Sequence, residues 1–503
     1  MNRSRREAEM RMSQYILSVD QSTQGTKALL FDEKGALLCR ADRPHRQIVN
    51  EKGWVEHDLK EIYANTLQVV KDLVAKAGID KAEIAALGIS NQRETSVCWD
   101  RKTGEPVYNA IVWQCARGAA ICEELTRQGK AGLVRSKTGI PLSPYFSAAK
   151  LAWIFQNVPG VSERARRGEI AVGTIDSWLV YQLTGGKRHQ TDFSNASRTQ
   201  LFNITDLKWD EELLSLFGLD PKCMAQVTDS DGDFGETDFE GWLDRPIPIR
   251  GVMGDSHGAL FGQGCLSPGM TKATYGTGSS IMMNIGEKPV FSDQGIVTSL
   301  AWKIGGKVRY VLEGNINYTG AVITWLRDDL KLIEGPGETE ALARSARGGD
   351  RTYLVPAFSG LGAPYWDSRA TACICGMTRA TGKNEIVRAA LDCIAYQITD
   401  IVEAMRKSAN IAMSELRVDG GPTRNAYLMQ FQSDLLNIPV RVPDSEELSG
   451  IGAAWAAGLA IGLYDEGVFN NLKRVSYAPR MDTAERDSRY AGWKDAVKKA
   501  RMN

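Results

Sequence analysis

The sequence has few histidines, no excess charge of either sign and no regular spacing of cysteines. Its 503 residues include 4 histidines and 9 cysteines, and 61 Lys and Arg balance 61 Asp and Glu. The charge balance argues against a broad nucleic-acid or anionic-membrane partner and favours a small-molecule ligand. The irregular cysteine spacing predicts no disulfide framework, which favours a cytoplasmic protein.

Long apolar runs are also absent. The longest, at residues 451–464, is shorter than the roughly 20 residues that a membrane span needs, and it predicts a buried helix. Residues 1–12 are charged and lack the apolar core of a secretory signal, so we expect a disordered arm, unless Met12 is the true start. Strand alternation would put Cys373 and Cys375 on one buried face, with a metal or redox role as the alternative.

The GxxxxGK[ST] phosphate loop is missing too. In its place, residues 18–27 read Ser-Val-Asp-Gln-Ser-Thr-Gln-Gly-Thr-Lys and join two strand-like apolar runs, 15–19 and 27–31. A hairpin tip with backbone N–H groups, hydroxyls and a lysine can hold phosphates, and Asp20 can hold the metal that accompanies them. An ordinary polar turn is the alternative.

The second half of the chain repeats this pattern. Residues 272–283 again read as strand, Gly/Thr turn and strand, about 250 residues after the first hairpin. The apolar runs 84–90 and 247–253 are typical of buried parallel strands. These features predict an α/β chain of duplicated architecture facing a central cleft. A strand at 416–419 that enters Gly420-Gly421 supplies a third turn of this kind and raises the prospect of an ATP site.

Helical spacing of apolar residues predicts a helix that Asp58 caps and another over residues 385–405. No long linker appears between the two halves. The domain boundary is expected between residues 262 and 269.

Two long, spaced motifs connect the chain to a known family. Residues 145–157 and 372–392 resemble the two signatures of the FGGY carbohydrate kinases at their constrained positions. Within that family the chain is most similar to the glycerol kinases, over about residues 15–493. The matching segments are residues 53–58, 91–95, 108–115, 195–199, 360–367 and 429–434.

The resemblance implies two ribonuclease H-like, actin-like domains, 13–262 for acceptor, Mg²⁺ and phosphate and 263–503 for the nucleotide. It implies a cytoplasmic, ATP- and Mg²⁺-dependent kinase that phosphorylates a hydroxyl of a small polyol or sugar. Glycerol is the acceptor that the resemblance favours. Family members are commonly dimers or tetramers, so a homo-oligomer is expected.

The resemblance also assigns residues. Asp255 would accept the proton of the attacking hydroxyl, although an Asp at this position could simply cap the following helix. Asp20 would position Mg²⁺. The positions that match phosphate and nucleotide contacts are Thr23, Lys27, Thr277, Gly320, Thr324, Gly421 and Asn425. The positions that match or neighbour acceptor contacts are Arg93, Glu94, Trp113, Tyr145, Asp255, Ser256 and Ser280.

Two of these assignments carry conditions. Arg93 and Glu94 are neighbours, so both reach one ligand only where the strand ends or bulges. Trp113 could equally be a core residue.

The sequence departs from the glycerol kinases around the acceptor. Ser256 and His257 follow Asp255 where two Gln are usual, Ser280 replaces an aromatic residue, and Ser143 replaces Asp. A roomier, more polar pocket would pack poorly on a three-carbon ligand. A four- or five-carbon polyol or ketose is therefore the alternative acceptor. An actin-like ATPase without a sugar substrate and an inactive kinase are remoter alternatives.

Overall fold

The computed structural model describes residues 14–502, so the predicted arm at residues 1–12 lies outside the described part. The chain divides into two compact units. Unit 1 comprises the residues up to Gly264 with Ser299–Tyr310 and Glu447–Asn471, and unit 2 comprises Cys265–Thr298, Val311–Glu446 and the residues from Leu472 onward.

The strands, in chain order, are β1 (Tyr15–Gln21), β2 (Gly25–Phe31), β3 (Leu37–Pro44), β4 (Ile48–Val49), β5 (Val55–His57), β6 (Ile84–Asn91), β7 (Val97–Asp100), β8 (Ala110–Ile111), β9 (Ile170–Gly173), β10 (Gln190–Asp192), β11 (Phe202–Asn203), β12 (Lys208–Trp209), β13 (Gln226–Thr228), β14 (Glu236–Thr237), β15 (Ile247–Gly254), β16 (Thr271–Tyr275), β17 (Ser279–Gly286), β18 (Val297–Ile304), β19 (Lys307–Ile316), β20 (Tyr353–Val355), β21 (Cys373–Cys375), β22 (Leu416–Asp419), β23 (Val440–Pro443) and β24 (Arg474–Tyr477).

The helices are α1 (Leu59–Ala77), α2 (Ala119–Arg127), α3 (Ala131–Thr138), α4 (Ser147–Asn157), α5 (Val161–Arg166), α6 (Ile175–Leu183), α7 (Phe193–Ala196), α8 (Glu211–Phe217), α9 (Asp255–Gly262), α10 (Gly320–Asp328), α11 (Thr339–Ser345), α12 (Lys383–Ala409), α13 (Ala426–Leu436), α14 (Leu448–Ala460) and α15 (Thr483–Ala500). Short 3-10 turns cover Lys81–Glu83, Pro221–Cys223, Pro336–Glu338, Gly421–Arg424 and Glu466–Asn470.

The main sheet of unit 1 has the strand order β14-β15-β6-β1-β2-β3. The β1–β2–β3 meander is antiparallel, whereas β6 pairs with β1 and β15 pairs with β6 in parallel. Strands β1 and β6 are almost wholly buried, as parallel strands covered on both faces require. Because β1, β6 and β15 run in one direction, their carboxyl ends, which carry Asp20, Asn91 and Gly254, lie at one edge of the sheet.

The main sheet that contains β16 repeats this topology. Its order is β18-β19-β17-β16-β22-β23-β24, with β16 and β17 antiparallel and with β22 and β23 in parallel register beyond β16. The antiparallel hairpin followed by two parallel strands is the arrangement of β1, β2, β6 and β15. The predicted duplication of an α/β half is therefore confirmed.

Helix α14 covers residues 451–460 of the longest apolar run and is buried in unit 1 as far as Gly458, so the helix predicted over 451–464 is present but ends at Ala460. Its backbone packs directly on the sheet because glycines face it. A Cβ on Gly88 or on Gly251 would lie 2.4 Å from the carbonyl oxygen of Ala453. None of the helices within residues 14–502 is long and apolar enough to cross a membrane.

Most of the other predicted elements are also present. Asp58 caps α1 by accepting the N–H of Lys60 at 2.8 Å, and α12 covers the predicted 385–405. The expectation for Cys373 and Cys375 was wrong in one respect, because both lie on β21 but are half-buried rather than buried. All nine cysteines are free.

Candidate active site

The β1–β2 hairpin places two of the predicted residues side by side. Asp20 and Lys27 are directly opposite in the antiparallel register, so their side chains emerge on the same face of the sheet. The tip is tight, because the N–H of Ser22 donates to the carbonyl of Gly25 at 2.9 Å. The hairpin therefore presents a carboxylate, an ammonium and the hydroxyl-rich tip together.

The Asp20 carboxyl is buried and lies near Lys27 and two other carboxylates. Burial raises its pKa to about 6, the charge of Lys27 and the hydrogen bond from Ser90 oppose this, and the carboxylates of Asp255 and Glu447 add to the rise. The Ser90 hydroxyl donates to Oδ1 at 2.8 Å, since Ser90 is the parallel partner of Asp20 on β6. A bound cation would stabilise the ionised form of this buried carboxylate.

Lys27 is held by a carboxylate that the sequence analysis missed. Its Nζ lies 2.8 Å from Oε2 of Glu447, which precedes α14 and also accepts a hydrogen bond from Arg40. A glutamate before an apolar helix is an ordinary feature of sequences. Nothing in the local pattern could have connected it to a lysine 420 residues away.

Asp255 begins α9 directly after β15. Gly254 occupies the N-cap position, and the Asp255 side chain is 37% exposed, with Oδ1 3.2 Å from Nε of the buried Arg93. The same oxygen accepts the N–H of Ser256 at 2.6 Å. A Cβ on Gly254 would lie 2.7 Å from Cγ of Arg93, so the glycine allows the Arg93 side chain to lie close to the backbone before Asp255. The arrangement presents an accessible carboxylate beside a fixed guanidinium.

The condition set for Arg93 and Glu94 is met. Strand β6 ends at Asn91, and Glu94 has a φ of 60°, which breaks the strand alternation. The Glu94 side chain is 2% exposed and accepts a 2.6 Å hydrogen bond from Nε of Arg198, whose side chain is also buried. The structure thus pairs Glu94 with an arginine that the sequence analysis did not identify.

Trp113 and Tyr145 form an aromatic face, with ring centroids 5.4 Å apart at 59°. Both rings are only partly buried. Trp113 Nε1 also donates to the Thr23 hydroxyl at 2.9 Å, which connects this face to the β1–β2 hairpin. Ser143 lies next to Tyr145 and accepts its N–H through Oγ at 3.2 Å.

Ser256 and Ser280 lie in different units. Ser256 is half-buried on α9 next to Asp255. Ser280 is on β17 opposite Thr274, and its buried hydroxyl has no hydrogen-bond partner within residues 14–502.

Unit 2 contains a cavity of about 650 Å³, a size typical of small-molecule sites. Five predicted nucleotide contacts line it: Thr277, Gly320, Thr324, Gly421 and Asn425. Ser280 is not among its lining residues. The cavity also has residues that the sequence analysis did not identify, among them Ile323, Arg327, Thr339, Glu340 and Arg424.

Close backbone contacts build one wall of this cavity. The N–H of Gly320 donates to the carbonyl of Gly276 at 2.9 Å, and a Cβ on Gly320 would lie 2.8 Å from the same oxygen. Gly420 has a φ of 98°, and its Cβ would lie 2.0 Å from the carbonyl oxygen of Tyr275. Asn425 caps α13 and donates through Nδ2 to Thr339 at 3.0 Å. Gly320 and Asn425 therefore have structural roles, in a close backbone contact and a helix cap, as well as their place in the cavity lining.

The carboxylates fit a magnesium ion that keeps water and phosphate ligands. Within residues 14–502 no group of three or more His, Cys, Asp or Glu side chains forms a metal site. Mg²⁺ needs no such cage, because one or two carboxylates and substrate phosphates suffice. Asp20 is the residue that would hold it, and the Asp255 carboxylate lies near enough for the two charges to interact.

Comparisons with known proteins agree with this geometry. Residues 15–262 match the FGGY family of carbohydrate kinases, N-terminal domain, and residues 271–461 match its C-terminal domain. Glycerol kinase 1 of Thermotoga maritima is 51% identical over 488 residues, which are 96% of this chain and 99% of that protein.

Solved structures show the same relationship. Plasmodium falciparum glycerol kinase with ADP has a TM-score of 0.92 and 35% identity, over 98% of this chain and 99% of the other. Xylulose kinase from Lactobacillus acidophilus has a TM-score of 0.85 at 22% identity, over 97% of both chains, and supports the fold alone. The expected ribonuclease H-like, actin-like fold is thereby confirmed.

The two matched domains together cover most of the chain, and each contains its part of the predicted site. The chain therefore belongs to the FGGY family of carbohydrate kinases and is an ATP-dependent kinase that phosphorylates an alcohol group.

Proposed function

We propose that this kinase transfers the γ-phosphoryl group of ATP to glycerol and forms glycerol 3-phosphate. The observation that carries the proposal is the Asp255 carboxylate, which is accessible and lies 3.2 Å from the buried Arg93 guanidinium. A base for the attacking hydroxyl must be reachable and fixed, and this carboxylate is both. The choice of glycerol is supported by the 51% identical relative named glycerol kinase 1.

In this proposal Asp255 accepts the proton of the attacking hydroxyl. Arg93 and Glu94 bind the other hydroxyls, since a guanidinium has five N–H donors and a carboxylate accepts hydrogen bonds. The Trp113–Tyr145 face contacts the C–H side of the acceptor, and Ser256 borders it.

The β1–β2 hairpin binds the phosphates. Asp20 would hold Mg²⁺, which would supply charge neutralisation at the phosphates. Lys27 and Thr23 donate to phosphate oxygens, and Lys27 must exchange its ion pair with Glu447 to do so. Phosphoryl transfer depends on such positioning and charge neutralisation more than on covalent chemistry.

The nucleotide occupies the cavity of unit 2. Its lining combines apolar side chains such as Ile323 and Leu391 with backbone that approaches closely at Gly320 and Gly421. Thr277, on the turn between β16 and β17, donates to phosphate, and Thr324 and Asn425 border the nucleoside. The nucleotide domain in this proposal is unit 2, and the acceptor domain is unit 1, which also includes Ser299–Tyr310 and Glu447–Asn471.

We further propose that the enzyme works in the cytoplasm as a homo-oligomer, a dimer or a tetramer. Nine free cysteines are typical of a reducing compartment. Sedimentation at micromolar concentration tests the oligomeric state, and a monomer would contradict it.

A four- or five-carbon polyol or ketose is the second candidate acceptor. The observation that favours it is Ser280, a small residue whose buried hydroxyl has no partner within the described residues. An unpartnered hydroxyl can hydrogen-bond a ligand, and serine is smaller than the aromatic residue that is usual at this position.

A panel of acceptors decides between the candidates. The specificity constant kcat/KM is measured by ADP release with glycerol, tetritols, pentitols, ketotetroses and ketopentoses. The first proposal predicts the highest value for glycerol, whereas a tetritol or ketopentose at least tenfold above glycerol would overturn it. In the second case Ser280→Phe should shift preference towards glycerol, and Ser280→Ala, which fills no space, should not.

A further inference from the structure

A buried lysine donates hydrogen bonds to the backbone around Tyr145. Lys150 lies on α4 and is fully buried. Its Nζ donates to three consecutive carbonyls, those of Pro144 at 2.6 Å, Tyr145 at 2.5 Å and Phe146 at 3.0 Å. An ammonium has three N–H donors, so these contacts use all of them.

We propose that Lys150 is a positioning residue that sets the Tyr145 ring against Trp113 for acceptor binding. The inference rests on the proposed role of Tyr145 at the acceptor, whichever polyol or sugar that acceptor is. Lys150 cannot touch the acceptor, because none of its surface is exposed. Its effect reaches the acceptor through the 144–146 backbone.

The cost of burying Lys150 argues for such a role. Burial lowers the pKa of its ammonium to about 7, although the Glu94 carboxylate opposes the shift. Burying a charge costs several kcal/mol unless it is paired and hydrogen-bonded, and an apolar residue of similar size would avoid that cost. Fixing three carbonyls in one geometry is what a lysine offers here and a methionine does not.

Residues 144–146, whose carbonyls accept from Lys150, also contact other residues proposed to bind the acceptor. The ring centroids of Tyr145 and Phe146 are 5.1 Å apart. The Phe146 ring also contacts the Arg198 guanidinium, whose Cζ lies 5.1 Å from the ring centroid. Arg198 in turn holds Glu94, whose carbonyl accepts the Ser147 hydroxyl at 3.0 Å. A shift of residues 144–146 would therefore move Tyr145 relative to both Trp113 and Glu94.

The test replaces Lys150 with Met, which keeps the length of the side chain and removes its donors. We expect KM for the acceptor to rise tenfold or more, with KM for ATP changed by less than twofold. Lys137→Met is the control, because Lys137 pairs with Asp210 elsewhere in unit 1 and its loss should leave both constants within twofold. An unchanged acceptor KM in folded Lys150→Met would overturn the proposal.

A double-mutant cycle with Tyr145→Ala separates positioning from a general loss of structure. If Lys150 acts through Tyr145, Lys150→Met adds less than twofold to acceptor KM in the Tyr145→Ala background. An equal effect in both backgrounds would contradict the proposal. Should Lys150→Met fail to fold, Lys150→Gln, which retains two donors, takes its place in the same cycle.

The acceptor used is the best one in the panel, so the test does not depend on glycerol. If glycerol fails in the panel, the proposed function is corrected while the cycle still reports on Lys150.

Discussion

The indole Nε1 of Trp113 lies 2.9 Å from the Thr23 hydroxyl and donates a hydrogen bond to it. The bond joins the aromatic face proposed for the acceptor to the hairpin proposed for the phosphates. A hydroxyl can accept and donate at once, so Thr23 can accept this hydrogen bond and still donate its own O–H to a phosphate oxygen. The bond fixes the direction in which Thr23 points.

Trp113→Phe removes this donor and keeps an aromatic ring. One hydrogen bond is worth about 1 kcal/mol, so we expect kcat/KM for ATP to fall about twofold to tenfold. Acceptor KM should change less. Steady-state kinetics with each substrate varied in turn measures both. Trp209→Phe is the matched control, because Trp209 donates to the Ala225 carbonyl at 2.7 Å outside the site. Equal losses in the two variants would contradict the assignment.

Ionised Asp20 is expected to lower the free energy of unfolding. Its folded pKa of about 6 exceeds the ordinary 3.8, so the folded chain binds this proton more tightly than the unfolded chain does. The free energy of unfolding therefore falls as pH rises from about 4 to 6. Asp20→Asn should raise it by about 1–3 kcal/mol at pH 8 and by progressively less towards pH 4, while activity is lost.

Urea denaturation across this pH range checks the prediction. Asp210→Asn is the control of opposite sign. Burial raises the Asp210 pKa, but hydrogen bonds from Lys137 and Asn203 outweigh it and the net pKa is lowered, so this variant should be destabilised at pH 8. A stability gain for Asp20→Asn that does not vary with pH would count against the electrostatic explanation.

Glu447→Gln should change how the site responds to pH. The Glu447 carboxylate contributes to the raised pKa of Asp20 and holds Lys27 at 2.8 Å. Without its charge Asp20 ionises at lower pH, and the acidic limb of the activity profile should move to lower pH. Profiles of kcat/KM for ATP at saturating Mg²⁺ measure the shift. A limb that stays in place would show that Glu447 does not act on Asp20.

Gly320→Ala tests the close backbone approach in the cavity of unit 2. Its new Cβ would lie 2.8 Å from the Gly276 carbonyl oxygen. Relieving that overlap must displace the cavity wall, so KM for ATP should rise about tenfold or more. Gly337→Ala is the matched control, since Gly337 also lines the cavity and a Cβ there meets nothing within 4 Å. Similar KM values in both variants would argue against this site.

The fold could be predicted because its signals are local. Buried parallel strands are continuous apolar runs, as at 84–90, and two hairpins with similar tips reveal a duplication. The half-exposure of Cys373 and Cys375 could not be predicted, because alternation gives the face of a strand and not what covers it.

The candidate site could be predicted only in part. Residues matching family motifs, such as Asp255 and Gly320, were accessible to sequence analysis. Lys150, Arg198 and Glu447 act through partners that are buried or distant in sequence, and no periodicity or spacing marks such contacts. Burial and distance, which identify them, exist only in the folded chain.

The central claim is that Asp255 serves as the base in phosphorylation of an alcohol, with glycerol as the acceptor. The most direct measurement is glycerol-dependent ADP release by the native chain and by Asp255→Asn, with ADP affinity measured in parallel. We expect turnover only when glycerol is present, and a kcat for Asp255→Asn lower by about 10²–10⁴-fold with unchanged ADP affinity. Glycerol-independent ADP release, or an Asp255→Asn kcat within tenfold of the native value, would contradict the account.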